Sequence, residues 1–240
     1  MVEKSVFYYK TMCINEIEQI SNTDYLNDFE DSENKTNCNL WLEEGFQLFS
    51  EIDIDVEKIF VTKEIINKIT DLETSPNVLG VCSINEYNRL SGDKYLLLDN
   101  IQDPGNLGTI IRSAKAFNID TIVLSQDTVD LYNPKVVRAT QGIMFHINIV
   151  VADLEMIILD LKKNKIKIFG TDVESGISPS SITSKDKDRF ALVMGNEGQG
   201  VKASIKECCD ENIYIPISDE VESLNVAVAT SIILYEFSRR

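Results

Sequence analysis

The sequence predicts an α/β fold whose larger, C-terminal part is built on a parallel sheet. Three observations predict it. From about residue 92 onward, short apolar runs alternate with stretches of helical periodicity, the pattern of successive βαβ units. The run Tyr95-Leu96-Leu97-Leu98 is continuously apolar, as a strand covered on both faces must be. Glycine-bearing turns at 104–108 and 195–200 each follow such a run, where open parallel sheets form their ligand sites.

The elements follow in order. After strand 95–98, Ile110, Ile111, Ala114 and Phe117 recur at helical spacing, which predicts a helix from near Asn106. A strand at 121–125 and a short helix with Pro134 in its first turn come next. A strand over 145–151 leads to a helix capped by Asp153, with Leu154, Ile157, Ile158 and Leu161 on one face as core. Further strands are expected at 166–170, 190–194 and 212–217, and a last helix from Asn225 to Phe237. The turn Ser91-Gly92-Asp93 is the expected boundary, giving an N-terminal domain at 1–91 and a C-terminal domain at 92–240. In the first domain 41–50 reads as helix, 58–62 and 78–83 as strands, and 21–37 as an acidic loop.

Composition excludes several function classes. No apolar run approaches the ~18–20 residues that span a bilayer, and the N-terminus lacks a signal-peptide layout. The five cysteines are odd in number and form no CxxC pair, so they read as reduced thiols of a cytoplasmic protein and not as a disulfide framework or zinc site. His146, the lone histidine, follows Phe145 in an apolar stretch and reads as partly buried; no His-based nucleophile system and no metal site is expected. Asp53, Asp55 and Glu57 do not complete a calcium loop and read as a solvated run. The net charge of −16 argues against a nucleic-acid partner. Its distribution counters that argument: residues 1–92 hold 7 Lys and Arg against 18 Asp and Glu, and residues 93–240 hold 16 against 21.

Three segments carry the candidate chemistry. The first, 103–112 (DPGNLGTIIR), runs from a strand through a Pro-Gly turn into a helix; Asn106 is either a helix cap or a functional amide, and Arg112 either a surface charge or a site residue. The second, 194–200 (MGNEGQG), follows a strand, and its glycines let backbone approach a ligand. It is neither a dinucleotide nor a P-loop fingerprint. In the third, 223–229 (SLNVAVA), Ser223 and Asn225 stand where a helix begins, so each can simply cap it.

Taken together, their order, wording and spacing resemble the SpoU (TrmH-like) family of RNA ribose methyltransferases, within the SPOUT superfamily. The resemblance covers about 95–240 and extends more weakly to Val129-Asp130-Leu131-Tyr132, Lys135-Val136-Val137-Arg138, Gly142 and Phe145. Leu42-Glu43-Glu44-Gly45-Phe46 is similar to the start of the family's N-terminal substrate-binding domain, a small ribosomal-protein-like α/β unit. Relatives tend to carry basic residues before that point, where this chain has Asp24, Asp28, Glu30, Asp31 and Glu33.

The resemblance implies a parallel sheet with a deep trefoil knot, an arrangement general folding rules disfavour. It also implies a homodimer joined through the C-terminal domain at its final helix. The implied cofactor is S-adenosylmethionine, held by Thr171, Met194, Gly195, Asn196, Gly200, Ile215, Pro216 and Leu224. The implied catalytic and RNA-facing set is Asn106, Arg112, Glu197, Ser223 and Asn225. Arg112 is the family's proposed activator of the hydroxyl; because a guanidinium stays protonated, orienting the hydroxyl and a neighbouring phosphate suits it better. The function that follows is methyl transfer to a ribose 2′-hydroxyl of structured RNA, with rRNA favoured over tRNA. Two alternatives are a non-catalytic RNA-binding or ribosome-assembly factor on the same fold, and an unrelated nucleotide-binding α/β enzyme, which the lack of a phosphate loop disfavours.

Overall fold

The computed structural model describes residues 8–9, 38–43, 57–69, 78–82, 89–173, 175–218 and 220–239. The chain forms two compact units, Met1–Glu86 and Tyr87–Arg240.

In the first unit β1 (Tyr8–Tyr9), β2 (Cys38–Glu43), β3 (Glu57–Val61) and β4 (Val78–Cys82) form a sheet in the order β1-β4-β2-β3, and α1 (Lys63–Ile69) follows β3. The β2/β3 pair is parallel and the other two are antiparallel. Trp41, Leu42 and Glu43 are therefore strand and not the start of a helix. A central strand takes its hydrogen bonds from both neighbours, a support that local periodicity does not register. Residues 44–50 and the acidic stretch 21–37 lie outside the described residues.

The second unit is a six-stranded, all-parallel sheet in the order β10-β8-β9-β5-β6-β7. Its strands are β5 (Lys94–Leu98), β6 (Thr121–Leu124), β7 (Asn148–Val151), β8 (Lys167–Asp172), β9 (Phe190–Met194) and β10 (Glu211–Tyr214). The turn Ser91–Asp93 is bonded into this unit, since Asp120 Oδ2 accepts from the backbone N–H groups of Asp93 (2.8 Å) and Lys94 (2.9 Å).

Strand periodicity sorts the core. Tyr95, Leu97, Val123, Ala191 and Val193 face α4 (Leu154–Lys163), which packs through Leu154, Ile158 and Leu161. The alternate residues face α2 (Pro104–Ala116) and the last helix, α7 (Val226–Ser238). There Phe237 meets Phe169 at 5.4 Å and Phe190 at 4.4 Å between ring centroids. Phe237→Ala is expected to lower the unfolding free energy by about 3–5 kcal/mol, read from chemical denaturation, because the rings of two buried strands lose their cover.

Several boundaries differ from expectation. α2 begins at Pro104, two residues before Asn106, because Asp103 is its cap and accepts from the Asn106 N–H at 2.7 Å. α3 (Pro134–Thr140) is capped by Asn133 as its sequence suggests. Residues Ile143–His146 form a 3-10 turn and β7 starts only at Asn148, so Phe145 is 42% exposed and His146 is exposed and not partly buried. β10 ends at Tyr214, leaving Ile215–Ile217 as loop. Two short helices, α5 (Ser184–Asp188) and α6 (Ala203–Glu207), complete the unit. Among the described residues no helix is long and apolar enough to cross a membrane.

Candidate active site

The chain runs β5 to β7 towards one edge, whereas β9 lies between β8 and β5 and leads back past β8 to β10 at the other edge, so adjacent β5 and β9 send their connections opposite ways and mark the sheet's switch point. Loops leaving the carboxyl ends there diverge and open a crevice. A cavity of about 350 Å³ lies at this end. Its walls come from the end of β8, the loop after β9, Lys206 on α6, the segment after β10 and the first turns of α7.

The loop after β9 is closed on itself. Asn196 and Gly200 exchange backbone hydrogen bonds (3.0 and 2.9 Å), and Asn196 Oδ1 accepts from the N–H groups of Gly198 (2.9 Å) and Gln199 (3.1 Å). Asn196 Nδ2 then donates to Asn100 O at 2.8 Å, tying the loop to the end of β5. Gly195 lets the loop fold back: a Cβ there would lie 2.1 Å from both Gly200 C and Val201 N.

Beneath the loop Asp99 is fully buried. Its Oδ2 accepts from the Lys202 N–H at 2.8 Å, and Lys202 Nζ stands 3.7 Å from Oδ1 and 2.8 Å from Asp127 Oδ2. The hydrogen bond to Asp127 raises the Lys202 ammonium above its ordinary pKa. A buried carboxylate needs such partners, which makes Asp99 the anchor of the second motif's loop. The sequence reading passed over Asp99, Asp127 and Lys202; a lone acid ending a wholly apolar strand was the signal that something must meet it.

Thr171, Met194, Gly195 and Asn196 line the cavity, as do Gly200, Ile215 and Leu224. Pro216 does not. Thr171 donates to Val193 O at 3.0 Å, so its hydroxyl proton is committed. Asp172, which pairs with Lys206, and Glu222 also line it and were not foreseen.

The polar residues of the three motifs fall into two groups. Glu197, Asn106 and Asn225 form one hydrogen-bonded chain: Asn106 Nδ2 donates to Glu197 Oε1 at 3.1 Å, and Asn225 Nδ2 donates to Asn106 Oδ1 at 2.9 Å. The Glu197 carboxylate also accepts from the backbone N–H groups of Gln102 and Asp103, both at 3.3 Å, just before α2. A carboxylate at a helix N-terminus is favoured by the unpaired N–H groups and the dipole. Glu197 and Ser223 line the cavity, where Ser223 is exposed and makes no side-chain hydrogen bond with a described residue.

Arg112 stands apart. Six residues beyond Asn106 it is about 9 Å along the α2 axis and about 240° around it, so the two do not share a face. It is exposed, lies outside the cavity wall and makes no hydrogen bond or ion pair with a described residue. Among the thiols, burial pushes Cys209 up to about 11, which suits an inert packing group and not a nucleophile.

Asn225 is both cap and link, since its Oδ1 accepts from the N–H groups of Ala227 (3.0 Å) and Val228 (3.3 Å). The two jobs separate by substitution. Asn225→Ala is expected to cost about 1 kcal/mol of stability through the lost cap. Asn225→Asp keeps the acceptor and the stability but loses the donor to Asn106. Thermal unfolding of both variants checks this, and equal destabilisation would refute it.

The SpoU rRNA Methylase family model matches residues 93–235. The chain is 38% identical over 186 residues to the 23S rRNA (guanosine(2553)-2′-O)-methyltransferase RlmP of Bacillus subtilis, covering 78% of this chain and 74% of the relative. It is 35% identical over 147 residues to the 23S rRNA (guanosine-2′-O-)-methyltransferase RlmB of Xanthomonas campestris, covering 60% of this chain and only 58% of the relative. Among solved structures, the SpoU methyltransferase AviRb of Streptomyces viridochromogenes in complex with AdoMet superimposes with a TM-score of 0.75 at 25% identity, over 85% of this chain and 83% of that one. An rRNA methyltransferase of Sinorhizobium meliloti gives 0.78 at 26% identity, over 98% and 87%. A crevice at the switch point, a self-closed glycine loop and three motifs joined by one hydrogen-bonded chain sit where those matches run, and this chain belongs to the SpoU rRNA methylase family.

Proposed function

We propose that this chain binds S-adenosylmethionine in the cavity after β9 and transfers its methyl group to a ribose 2′-hydroxyl of ribosomal RNA. The observation that carries the reading is the chain Glu197–Asn106–Asn225, which draws all three motifs to the edge of one cavity. That cavity's size falls in the range of small-molecule sites. Its charges suit the donor: Asp172, Glu197 and Glu222 face it with Lys206, against a sulfonium, an ammonium and a carboxylate. Thr171, Met194, Gly195, Asn196, Gly200, Ile215 and Leu224 would hold it. When bound, the donor supplies an electrophilic methyl carbon on a positively charged sulfur.

The protein's own part is to hold and align. Glu197 fixes Asn106, and Asn106 fixes Asn225, so three side chains present one set of oriented amides and an acceptor beside the cavity. Ser223, with no side-chain hydrogen bond to a described residue, offers its hydroxyl to the incoming ribose. Arg112 stays protonated and uses its forked N–H groups on the phosphate next to the target, orienting the 2′-oxygen towards the methyl carbon. Positioning of this kind supplies much of the rate in a two-substrate transfer.

Four further parts belong to the same reading. Loops after β9 and β10 converge with β8 on one cavity, which supports a knotted path of the chain there. Val228, Ile232 and Tyr235 are exposed on α7 at i, i+4, i+7 spacing, an apolar stripe that supports a homodimer through this helix. The N-terminal domain, whose compact unit is Met1–Glu86, serves as a second RNA-binding domain, and the protein works in the cytoplasm.

Calorimetric titration with S-adenosylmethionine and S-adenosylhomocysteine tests the donor site, and mass-spectrometric mapping of 23S rRNA after incubation tests the transfer. Saturable binding at one donor per protomer and a new ribose methyl are expected. No donor binding with RNA present or absent would refute the enzyme and favour the non-catalytic RNA-binding reading.

A further inference from the structure

A chain of net charge −16 must still meet a polyanion somewhere, and its cations are unevenly engaged. In the second unit Lys162, Lys163, Lys167, Arg189, Lys202, Lys206 and Arg239 are each ion-paired, and Lys187 donates to the Glu236 carbonyl. Arg112 and Lys115 on α2, with Lys135 and Arg138 on α3, are exposed and make no ion pair or side-chain hydrogen bond with a described residue. Arg89, Lys94, Lys165 and Lys185 likewise make no ion pair with a described residue but are scattered singly along the chain.

The four are set apart by what surrounds them. No Asp or Glu occurs from 104 to 119 or from 131 to 152, although the whole chain carries 39. These two acid-free stretches pack together: a Cβ on Gly108 of α2 would lie 2.3 Å from Ala139 Cβ on α3, so the helices touch nearly backbone to backbone. Each helix carries its cations at i, i+3, on one face. The 3-10 turn Ile143–His146, from the second acid-free stretch, packs against both helices and exposes the Phe145 ring. Four like charges with no carboxylate in their own two stretches and no ion pair to a described residue repel one another, a cost that a line of phosphates removes. Cations beside an exposed aromatic ring are also the composition that binds single strands, through phosphates and stacking.

We infer that the face made by α2, α3 and the Ile143–His146 turn carries the single-stranded RNA flanking the target ribose, with Arg112, Lys115, Lys135 and Arg138 taking its phosphates and Phe145 stacking on a base. This rests on the proposed function and extends it. It assigns the RNA track to the methyltransferase unit itself, running along the side of α2 that carries Arg112 and Lys115 and across to α3, and it lets a strongly acidic protein bind RNA.

The test uses the full chain and a mixed-sequence single-stranded RNA oligonucleotide, with binding followed by fluorescence anisotropy over a series of salt concentrations and no donor present. Combining Lys115→Gln, Lys135→Gln and Arg138→Gln is expected to weaken binding roughly tenfold at about 0.1 M salt and to flatten the log–log salt slope by about 2. Phe145→Ala is expected to weaken binding without changing the slope. The combined Lys165→Gln and Lys185→Gln control is expected to change neither, and all variants should unfold at the wild-type temperature. An unchanged slope in the triple variant, an equal loss in the control, or no binding by the wild type overturns the inference. If the wild type methylates rRNA normally while the triple variant keeps its slope, this surface fails and the enzyme reading stands. If the wild type neither binds donor nor methylates while the slopes shift as expected, the enzyme reading fails and the surface stands.

Discussion

Replacing Arg112 by alanine is expected to lower the turnover number for methyl transfer by at least about 100- to 1,000-fold, the scale seen when one essential electrostatic donor is removed. Donor affinity and unfolding temperature should stay as in the wild type. The structure separates the two effects. Arg112 is exposed on α2, touches neither the cavity wall nor the Glu197–Asn106–Asn225 chain, and supports no other side chain among the described residues. Alanine also favours the helix slightly. Its loss therefore acts on RNA binding and on the RNA-bound step, and not on the donor site. Arg112→Lys sharpens the result, because a point charge replaces a planar fork. If the fork orients phosphate and hydroxyl together, lysine should recover RNA affinity but little of the turnover. Wild-type turnover in Arg112→Ala, measured by transfer of a labelled methyl group under saturating donor, would remove this residue from the mechanism.

The second large effect is expected at Gly195. A methyl group there would sit 2.1 Å from Gly200 C and Val201 N, far inside van der Waals contact, and both obstacles are backbone. The loop can only open, which breaks the paired hydrogen bonds between Asn196 and Gly200 and pulls on the Asp99–Lys202 anchor. Gly195→Ala should thus weaken S-adenosylmethionine binding by roughly 100-fold or more, with a stability cost of about 1–3 kcal/mol, the usual range for overpacking. β9 itself is buried along its whole length and should hold. Gly198→Ala is the internal control: its Cβ would meet nothing closer than Asn196 Oδ1 at 3.7 Å, so donor affinity should be retained. Calorimetry on the two variants decides the matter, and equal affinities would mean that this loop is not the donor's wall.

The elements of the second unit were legible where one local signal dominates. Leu96–Leu98 and Phe190–Met194 are continuously apolar because they are buried on both faces of a parallel sheet, and both strands lie where their runs indicate. Asp153 and Asn225 cap helices because their acceptors reach free N–H groups two or three residues on. Legibility failed where a distant partner overrides the local pattern. Trp41–Glu43 is strand because β3 and β4 flank it. Asp103, not Asn106, caps α2, which frees the Asn106 amide for Glu197 and Asn225. Phe145 and His146 look like strand by composition, yet a 3-10 turn leaves both on the surface.

The three motifs were legible in the sequence because their identity lies in order and spacing, but Pro216 is not in the cavity wall and Asp172 and Glu222 are. How the motifs are joined depends on contacts far apart in the chain. Residues 91 to 119 apart in the chain meet within hydrogen-bond distance at Asn106, while Arg112, on the same helix, is turned away from them. Likewise a net charge summed over the chain pointed away from RNA, whereas α2 and α3, drawn from two stretches without Asp or Glu, pack together and carry four exposed cations that make no ion pair with a described residue. Composition averages over the surface, but a polyanion meets only the part of it that lies within about a Debye length.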